Sequence, residues 1–97
     1  MTSKERAKLR SIASTMEPVV IIGKGEVDEN VLKQIDGVLN TRELVKISIL
    51  QSSDIDPKWL IDYLCEKLMA QPVATIGKKV IIYRYSKKKN VKHIEFV

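Results

Sequence analysis

The chain has 97 residues, of which 44% are hydrophobic and 30% charged, and its formal net charge is +5. This length supports one domain with a single core, and the composition is typical of a globular protein rather than a disordered tail. The longest apolar runs fall well short of a bilayer span, and the charged first residues do not resemble a secretory signal. The lone Cys65 excludes an internal disulfide and, with the lone His93, leaves no ligand set for a metal cluster. We therefore predict a cytoplasmic protein with no membrane partner, metal or cofactor.

The first predicted element is a helix that begins with a capping box. In Thr2-Ser3-Lys4-Glu5 the hydroxyl and the carboxylate can each bond the other residue's backbone amide. An apolar stripe at helical spacing follows, formed by Leu9, Ile12, Ala13 and Met16. Basic residues border this stripe, with Lys4 and Lys8 on one flank and Arg6 and Arg10 on the other. They fit either a solvated rim or a nucleic-acid contact.

The middle of the chain predicts a strand, a helix and a second strand. Pro18 bars the first helix from continuing, and Val19–Ile22 is typical of a short strand buried on both faces. Asp28 is suited to cap the second helix, whose apolar stripe runs from Val31 to Leu39. The second strand covers Leu44 to Leu50, and the apolar residues on its one face are Val45, Ile47 and Ile49.

The last third of the chain predicts a helix and a hairpin. Asp56-Pro57 is a helix start, and the inward face of this helix is expected to contain Trp59, Leu60, Tyr63, Leu64 and Leu68. Residues 73–76 and 80–85 are the third and fourth strands, and Gly77-Lys78 has the chemistry of the turn between them. The basic tail 86–97 is either frayed or an edge strand. The α-β-α-β-α-β-β order predicts a single compact α/β domain, residues 1–97, with a four-stranded mixed sheet.

The sequence contains no recognisable catalytic constellation. A lone histidine in a tail is typically just a surface residue, and Cys65 lies among leucines as a small buried hydrophobe would. The carboxylates near Asp56 are explained by helix capping and the helix dipole. Because no nucleophile is paired with a base and an orienting group, we predict that the protein is not an enzyme.

The glycine-lysine pairs are the main functional signal. Gly23-Lys24-Gly25 lies between a buried strand and a helix start, where glycine lets a phosphate approach the backbone amides and lysine adds a positive charge. An ordinary strand-to-helix turn would also use these residues.

A second glycine-lysine bend lies in the hairpin, at Gly77, Lys78 and Lys79, and Arg84 follows on the returning strand. Two such bends at the ends of neighbouring strands could hold one nucleic-acid backbone. Tyr83 and Tyr85 either stack on bases or, more commonly for such residues, pack against the sheet.

Five segments follow one another along the chain: "LRSIA", "PVVIIGKG", "ENVLKQID", "RELVKISIL" and "VATIGKKVIIYR". In this order and spacing they resemble the YhbY-like proteins, the stand-alone bacterial form of the CRM domain (chloroplast RNA splicing and ribosome maturation). The resemblance implies a fold similar to the C-terminal domain of bacterial translation initiation factor three. It also implies RNA binding and association with precursor large ribosomal subunits.

The family's basic loop carries a GxxG motif, and here Gly23 matches its first glycine while Glu26 stands at its second. Two interpretations remain open. Glu26 points outward before the helix cap while Gly25 supplies the turn, or the loop has lost its phosphate and the hairpin lysines and first helix bind instead.

The predicted function is docking on ribosomal RNA, or on the precursor large subunit, by a monomeric RNA-binding protein that assists ribosome assembly. The alternative is a protein-interaction module whose basic face binds an acidic protein.

Overall fold

A computed structural model describes residues 1–23 and 27–95 of the chain. The described residues form helices α1 Ser3–Ala13, α2 Glu29–Arg42 and α3 Pro57–Leu68, and strands β1 Val20–Ile22, β2 Leu44–Ile49, β3 Gln71–Ile76 and β4 Lys79–Tyr83. This order confirms the α/β class predicted from the sequence. The predicted loop residues Lys24, Gly25 and Glu26 lie outside the described residues.

The helix starts carry the caps that the sequence predicts. The Thr2 hydroxyl oxygen accepts from the Glu5 amide at 3.1 Å, and the Glu5 carboxylate accepts from the Thr2 amide at 2.9 Å. Asp28 caps α2 by accepting from the Val31 amide at 2.9 Å. Asp56 caps α3, which has proline at its start. Local sequence therefore sets where each helix begins.

The sheet has the strand order β1-β2-β4-β3. β1 runs parallel to β2, while β4 runs antiparallel to both β2 and β3. Gly77 takes a φ of 57° between β3 and β4, which confirms the predicted glycine turn of a hairpin. The strand before Gly23 and the hairpin were predicted to be neighbours, but β2 separates β1 from the hairpin.

Helices cover both faces of the sheet. On one face α2 and α3 pack on the strand residues Val20, Ile22, Val45, Ile47, Ile49, Val80 and Ile82. On the other face Leu9 and Ala13 of α1 pack on Leu44, Val73, Ile81 and Tyr83. We call the second face the α1 face. As predicted, Val45, Ile47 and Ile49 share one face of β2.

Two residues predicted to be buried are exposed. Ile21 is 68% exposed because β1 is a short edge strand and α1 packs over other strands, so β1 is not buried on both faces. Trp59 is 52% exposed, and its ring stacks on Tyr63 with a centroid separation of 4.9 Å. Trp59 therefore belongs to the surface of α3 rather than to its inward face.

The tail also differs from both of its predicted forms. Residues 86–95 form no strand in the described structure, yet they are anchored at several points to α2 and to Glu43 at its end. No helix among the described residues has the length and apolar character to cross a membrane.

Candidate nucleic-acid interface

Gly23, which follows β1, and the hairpin turn at Gly77 lie on either side of the end of β2. The Ile49 amide donates to the Lys78 carbonyl oxygen at 2.7 Å, and the next amide, of Leu50, donates to the Ile22 carbonyl oxygen at 2.8 Å. Since adjacent strands are about 4.8 Å apart, the end of β1 and the start of β4 are separated by about 10 Å. We call this end of the sheet, where β1 and β2 finish and β4 begins, the bend end. The topology thus brings Gly23 and Gly77 to the same end of the sheet.

The two glycines have different structural roles. Gly77 has a left-handed φ of 57°, which strains any residue with a side chain. At Gly23 an added Cβ would lie 4.0 Å from the Leu50 side chain, an ordinary contact. The fold itself therefore requires glycine at position 77 and not at position 23.

The two hairpin lysines differ in their contacts. Lys78 donates from Nζ to the Ser53 carbonyl oxygen at 2.8 Å and so ties the hairpin to the loop after β2. The exposed Lys79 side chain has no hydrogen-bond or ion-pair partner within residues 1–23 and 27–95. Lys79 is register-paired with Ser48, and the flanking Val80 packs toward α2 and α3, so Lys79 extends on the α1 face.

One basic flank of α1 borders the same surface. Arg6 lines a shallow groove with residues 72–75 of β3 and with Lys58 of α3. Arg10 lies one helical turn further along the same flank, and both arginines are exposed. Lys4 and Lys8 occupy the opposite flank of α1, and Lys8 is half-buried.

Lys46 fixes the position of α1, a role that the sequence reasoning missed. Its Nζ donates to the carbonyl oxygens of Ala13 and Met16, both at 3.1 Å. These carbonyls lie at and beyond the C-terminal end of α1, where a helix leaves acceptors unpaired. The signal available in the sequence was a lysine in the middle of a strand, on the face opposite the apolar residues of that strand.

Arg84 lies away from the bends. Its backbone amide donates to the Glu43 carbonyl oxygen, at the start of β2 and hence at the far end of the sheet. Its guanidinium donates to the Asp36 carboxylate and to the Leu68 carbonyl oxygen, each at 2.8 Å, and to Asn40 Oδ1 at 2.9 Å. The structure therefore brings Lys79, Arg6 and Arg10 to one side of the molecule and does not bring Arg84 there.

Acidic residues lie on the other side of the bend end. Asp28 and Asp56 cap the helices that start there, and both carboxylates are exposed, as is Asp54. The Asp28 side chain already accepts from the Val31 amide, so this amide is not available to a phosphate. Lys79 therefore extends on the face of the sheet opposite the helices that carry these two capping carboxylates.

The tail contacts were also missed from sequence. Glu43 is fully buried, and its carboxylate accepts from the Ser86 amide at 2.7 Å and from the Ile94 amide at 3.0 Å. His93 Nδ1 lies 2.6 Å from the same carboxylate, and the His93 ring stacks on Tyr85. His93 is thus a structural contact. Tyr83 is buried under α1, as the packing alternative holds, whereas Tyr85 is 58% exposed.

The described residues offer little for catalysis. Burial raises the pKa of the Cys65 thiol to about 11, so it is not a ready nucleophile at neutral pH. No group of three or more His, Cys, Asp or Glu within residues 1–23 and 27–95 is arranged to hold a metal ion.

Comparison with known proteins identifies the family. A family model, the CRS1 / YhbY (CRM) domain, matches residues 1–84. The chain is 38% identical to "Probable RNA-binding protein YqeI" of Bacillus subtilis, covering 90% of this chain and 91% of the relative. It is 30% identical to a protein of Pseudomonas aeruginosa that is also named a probable RNA-binding protein, covering 93% and 86%. The solution structure of the hypothetical protein SAV1595 from Staphylococcus aureus superposes with a TM-score of 0.78 at 41% identity, covering 93% and 94%.

Proposed function

The chain belongs to the CRS1 / YhbY (CRM) domain family, and on that premise we propose that it is an RNA-binding protein. Its target is ribosomal RNA within precursor large ribosomal subunits, and it assists their assembly in the cytoplasm by docking, as one monomeric domain and without catalysis. Relatives of similar length that are named probable RNA-binding proteins support the RNA partner. The basic net charge of +5 supports the same partner class.

The observation that carries the proposal is that Gly23 and the hairpin turn at Gly77 lie on either side of the end of β2. Gly23, Lys24 and Gly25 contribute one phosphate contact, and the turn at Gly77 with Lys78 and Lys79 contributes another. Because a single strand separates Gly23 from the hairpin turn at Gly77, a ribose-phosphate chain can cross both positions. Arg6 and Arg10 extend this track onto α1, and Lys4 and Lys8 contribute from the opposite flank.

Docking without catalysis fits the chemistry of these groups. Lysine and arginine side chains bind phosphates through charge and charge-assisted hydrogen bonds. Contacts of this kind position an RNA and carry little sequence information. The surface therefore selects RNA by shape and backbone geometry.

The test is a salt series of RNA affinity with purified protein. If about 4 to 6 phosphates are neutralised, log affinity falls against log salt with a slope of about −3 to −4 on single-stranded RNA. A flat salt dependence contradicts the proposal.

A matched pair of lysine variants locates the surface. Lys79→Gln, at the bend end, is expected to lower affinity and to reduce the slope by about 0.7, the value of one phosphate contact. Lys87→Gln removes the same charge from the tail, at the opposite end of β2, and is expected to leave the slope unchanged. Equal effects of the two variants contradict a surface at the bend end.

The cellular partner is tested by sedimentation of cell extracts with and without nuclease. Comigration with large-subunit precursors that is lost after RNA digestion supports ribosomal RNA as the partner. Comigration that survives digestion supports the alternative, an acidic protein bound by the basic face.

A further inference from the structure

The sheet leaves one row of residues uncovered on the α1 face, next to the bends. Ile21 is register-paired with Ser48, Ser48 with Lys79, and Lys79 with Ile76, so the row crosses all four strands in order. Register partners project to the same face of a sheet. The adjacent residue on β2, Ile49, packs toward α2 and α3, as alternation along a strand requires.

The row is open because α1 covers only the far part of its face. Leu9 and Ala13 of α1 pack on strand residues nearer the other end of the sheet. Ile21 remains 68% exposed and Ile76 42% exposed, at the two edges of the sheet. Each of these isoleucines presents apolar surface to water that the fold itself does not bury.

Cationic side chains lie in this row and beside it. Lys79 is part of the row, and Arg6 of α1 lines the groove along residues 72–75 of β3, which also contains Lys58 and Asp62 of α3. The capping carboxylates Asp28 and Asp56 belong to the helices on the opposite face of the sheet. The row is therefore suited to a polyanion that also has flat apolar surfaces.

We propose that the row Ile21–Ser48–Lys79–Ile76 is a platform for the bases of a single-stranded RNA segment whose backbone runs along the bend end. A duplex hides the faces of its bases in the stack and would leave both isoleucines in water, whereas a single strand exposes those faces. Apolar side chains are suited to pack against an unstacked base. This inference rests on the proposed function and adds that the target is single-stranded.

The dimensions of the row fit a short RNA segment. Four strands with three spacings of about 4.8 Å span about 14 Å between Ile21 and Ile76. Stacked bases rise roughly 3.4 Å per nucleotide and unstacked bases lie further apart, so this length holds at most about four nucleotides. The platform therefore reads a short single-stranded segment such as a loop or a junction strand.

The test compares isoleucine variants on a short single-stranded RNA and on a blunt RNA duplex. Ile21→Thr with Ile76→Thr keeps β-branched residues in both strands, so folding is expected to be preserved, as a thermal melt would verify. We expect single-strand affinity about tenfold weaker, with an unchanged salt slope because no charge is lost, and unchanged duplex affinity. Ile12→Thr, on the α1 flank that carries Lys8, is the matched control and is expected to have no effect.

A variant that is expected to gain affinity controls for a loss of RNA affinity that is caused only by misfolding of the threonine variant. Ile21→Tyr with Ile76→Tyr is expected to bind the single strand at least about fivefold more tightly, because aromatic rings stack on bases better than isoleucine does.

The remaining outcomes separate the two proposals. Wild-type affinity in the threonine variant, together with a loss in Lys79→Gln, overturns the platform and leaves the proposed function standing. If the threonine variant keeps full RNA affinity but no longer comigrates with ribosomal precursors, the platform is overturned in favour of a protein partner that binds the row. Absence of RNA binding by the wild-type chain overturns both proposals.

Discussion

Arg84 and Asp36 form an ion pair, at 2.8 Å, that joins the residue after β4 to helix α2. The Arg84 side chain is 19% exposed and its guanidinium also donates to the Leu68 carbonyl oxygen at the end of α3. One cation thus connects the sheet with both helices of the same layer. The sequence suggested a phosphate contact for Arg84, and the geometry suggests a structural one.

We expect Arg84→Gln to lower stability without weakening the phosphate track. Loss of charge-assisted hydrogen bonds at a mostly buried site should reduce the free energy of unfolding by about 1–3 kcal/mol, measured by urea denaturation. The salt slope of RNA binding should remain that of the wild type. Arg10→Gln is the control and should reduce the salt slope while leaving the free energy of unfolding unchanged. If Arg84→Gln reduced the salt slope of RNA binding and left stability unchanged, Arg84 would belong to the RNA-binding surface after all.

Lys46 offers a test of how α1 is held. Lys46→Met keeps the length of the side chain and removes the donor for the Ala13 and Met16 carbonyl oxygens. We expect the free energy of unfolding to fall by about 1–3 kcal/mol, since the Met16 carbonyl oxygen loses this donor and the Ala13 carbonyl oxygen keeps only the Met16 amide. RNA affinity should also fall, because α1 carries Arg6 and Arg10. The exposed Lys33 on α2 provides the control, and Lys33→Met should change stability little. Equal melting curves for the two variants would contradict this role of Lys46.

Glu43 is predicted to anchor the tail and to make stability depend on pH. Burial by itself raises the pKa of the Glu43 carboxyl, but hydrogen bonds from the Ser86 amide, the His93 ring and the Ile94 amide outweigh burial and leave this pKa below its ordinary value of 4.5. A lowered pKa means that the folded state favours the charged carboxylate. The stabilisation is present above pH 4.5 and is lost as the pH falls through the folded-state pKa.

The measurement is the melting temperature of wild type and Glu43→Gln across acidic and neutral pH. Glu43→Gln should melt lower than wild type near neutral pH, and the difference should shrink below about pH 4.5 as the wild-type carboxylate is protonated. Glu95→Gln, which changes an exposed carboxylate of the same tail, should follow the wild-type curve. A gap between Glu43→Gln and wild type that stays constant through the acid range would show that charge on Glu43 is not the source of its effect.

Two glycines should respond oppositely to alanine. Gly77 has a φ of 57° with no atom within 4 Å of an added Cβ, so Gly77→Ala is expected to cost about 1–2 kcal/mol through backbone strain alone. Gly37 lies inside α2, also with no atom within 4 Å of an added Cβ, so Gly37→Ala is expected to add about 0.5–1 kcal/mol. Urea denaturation of the two variants beside wild type measures both changes. Two shifts of the same sign would contradict these backbone assignments.

Much of the fold was predictable because its signals are local. The caps at Thr2, Asp28 and Asp56 and the glycine turn at Gly77 depend on neighbours a few residues away, and each is found where the sequence predicts it. Alternation along β2 likewise assigns Ile47 to one face because side chains of a strand alternate by geometry.

The errors concern which surface a partner element covers. Ile21 and Trp59 have the residue types of a core, yet both are exposed, since exposure depends on where other helices and strands pack. Lys46 and Glu43 appear in sequence as ordinary charged residues, and only the arrival of α1 and of the tail gives them partners. These contacts join residues that are about 30 to 50 positions apart, so no local sequence pattern predicts them.

The sequence by itself determined the order of elements, their caps, the family and the residues that carry positive charge. Tertiary structure alone decided that β2 separates β1 from the hairpin, that Lys79 extends on the α1 face and that Arg84 lies at the far end of the sheet. The physical reason is that helix capping and strand alternation act within a few bonds of the chain. Strand order and the placement of helices, by contrast, are set by burial of apolar surface between distant segments.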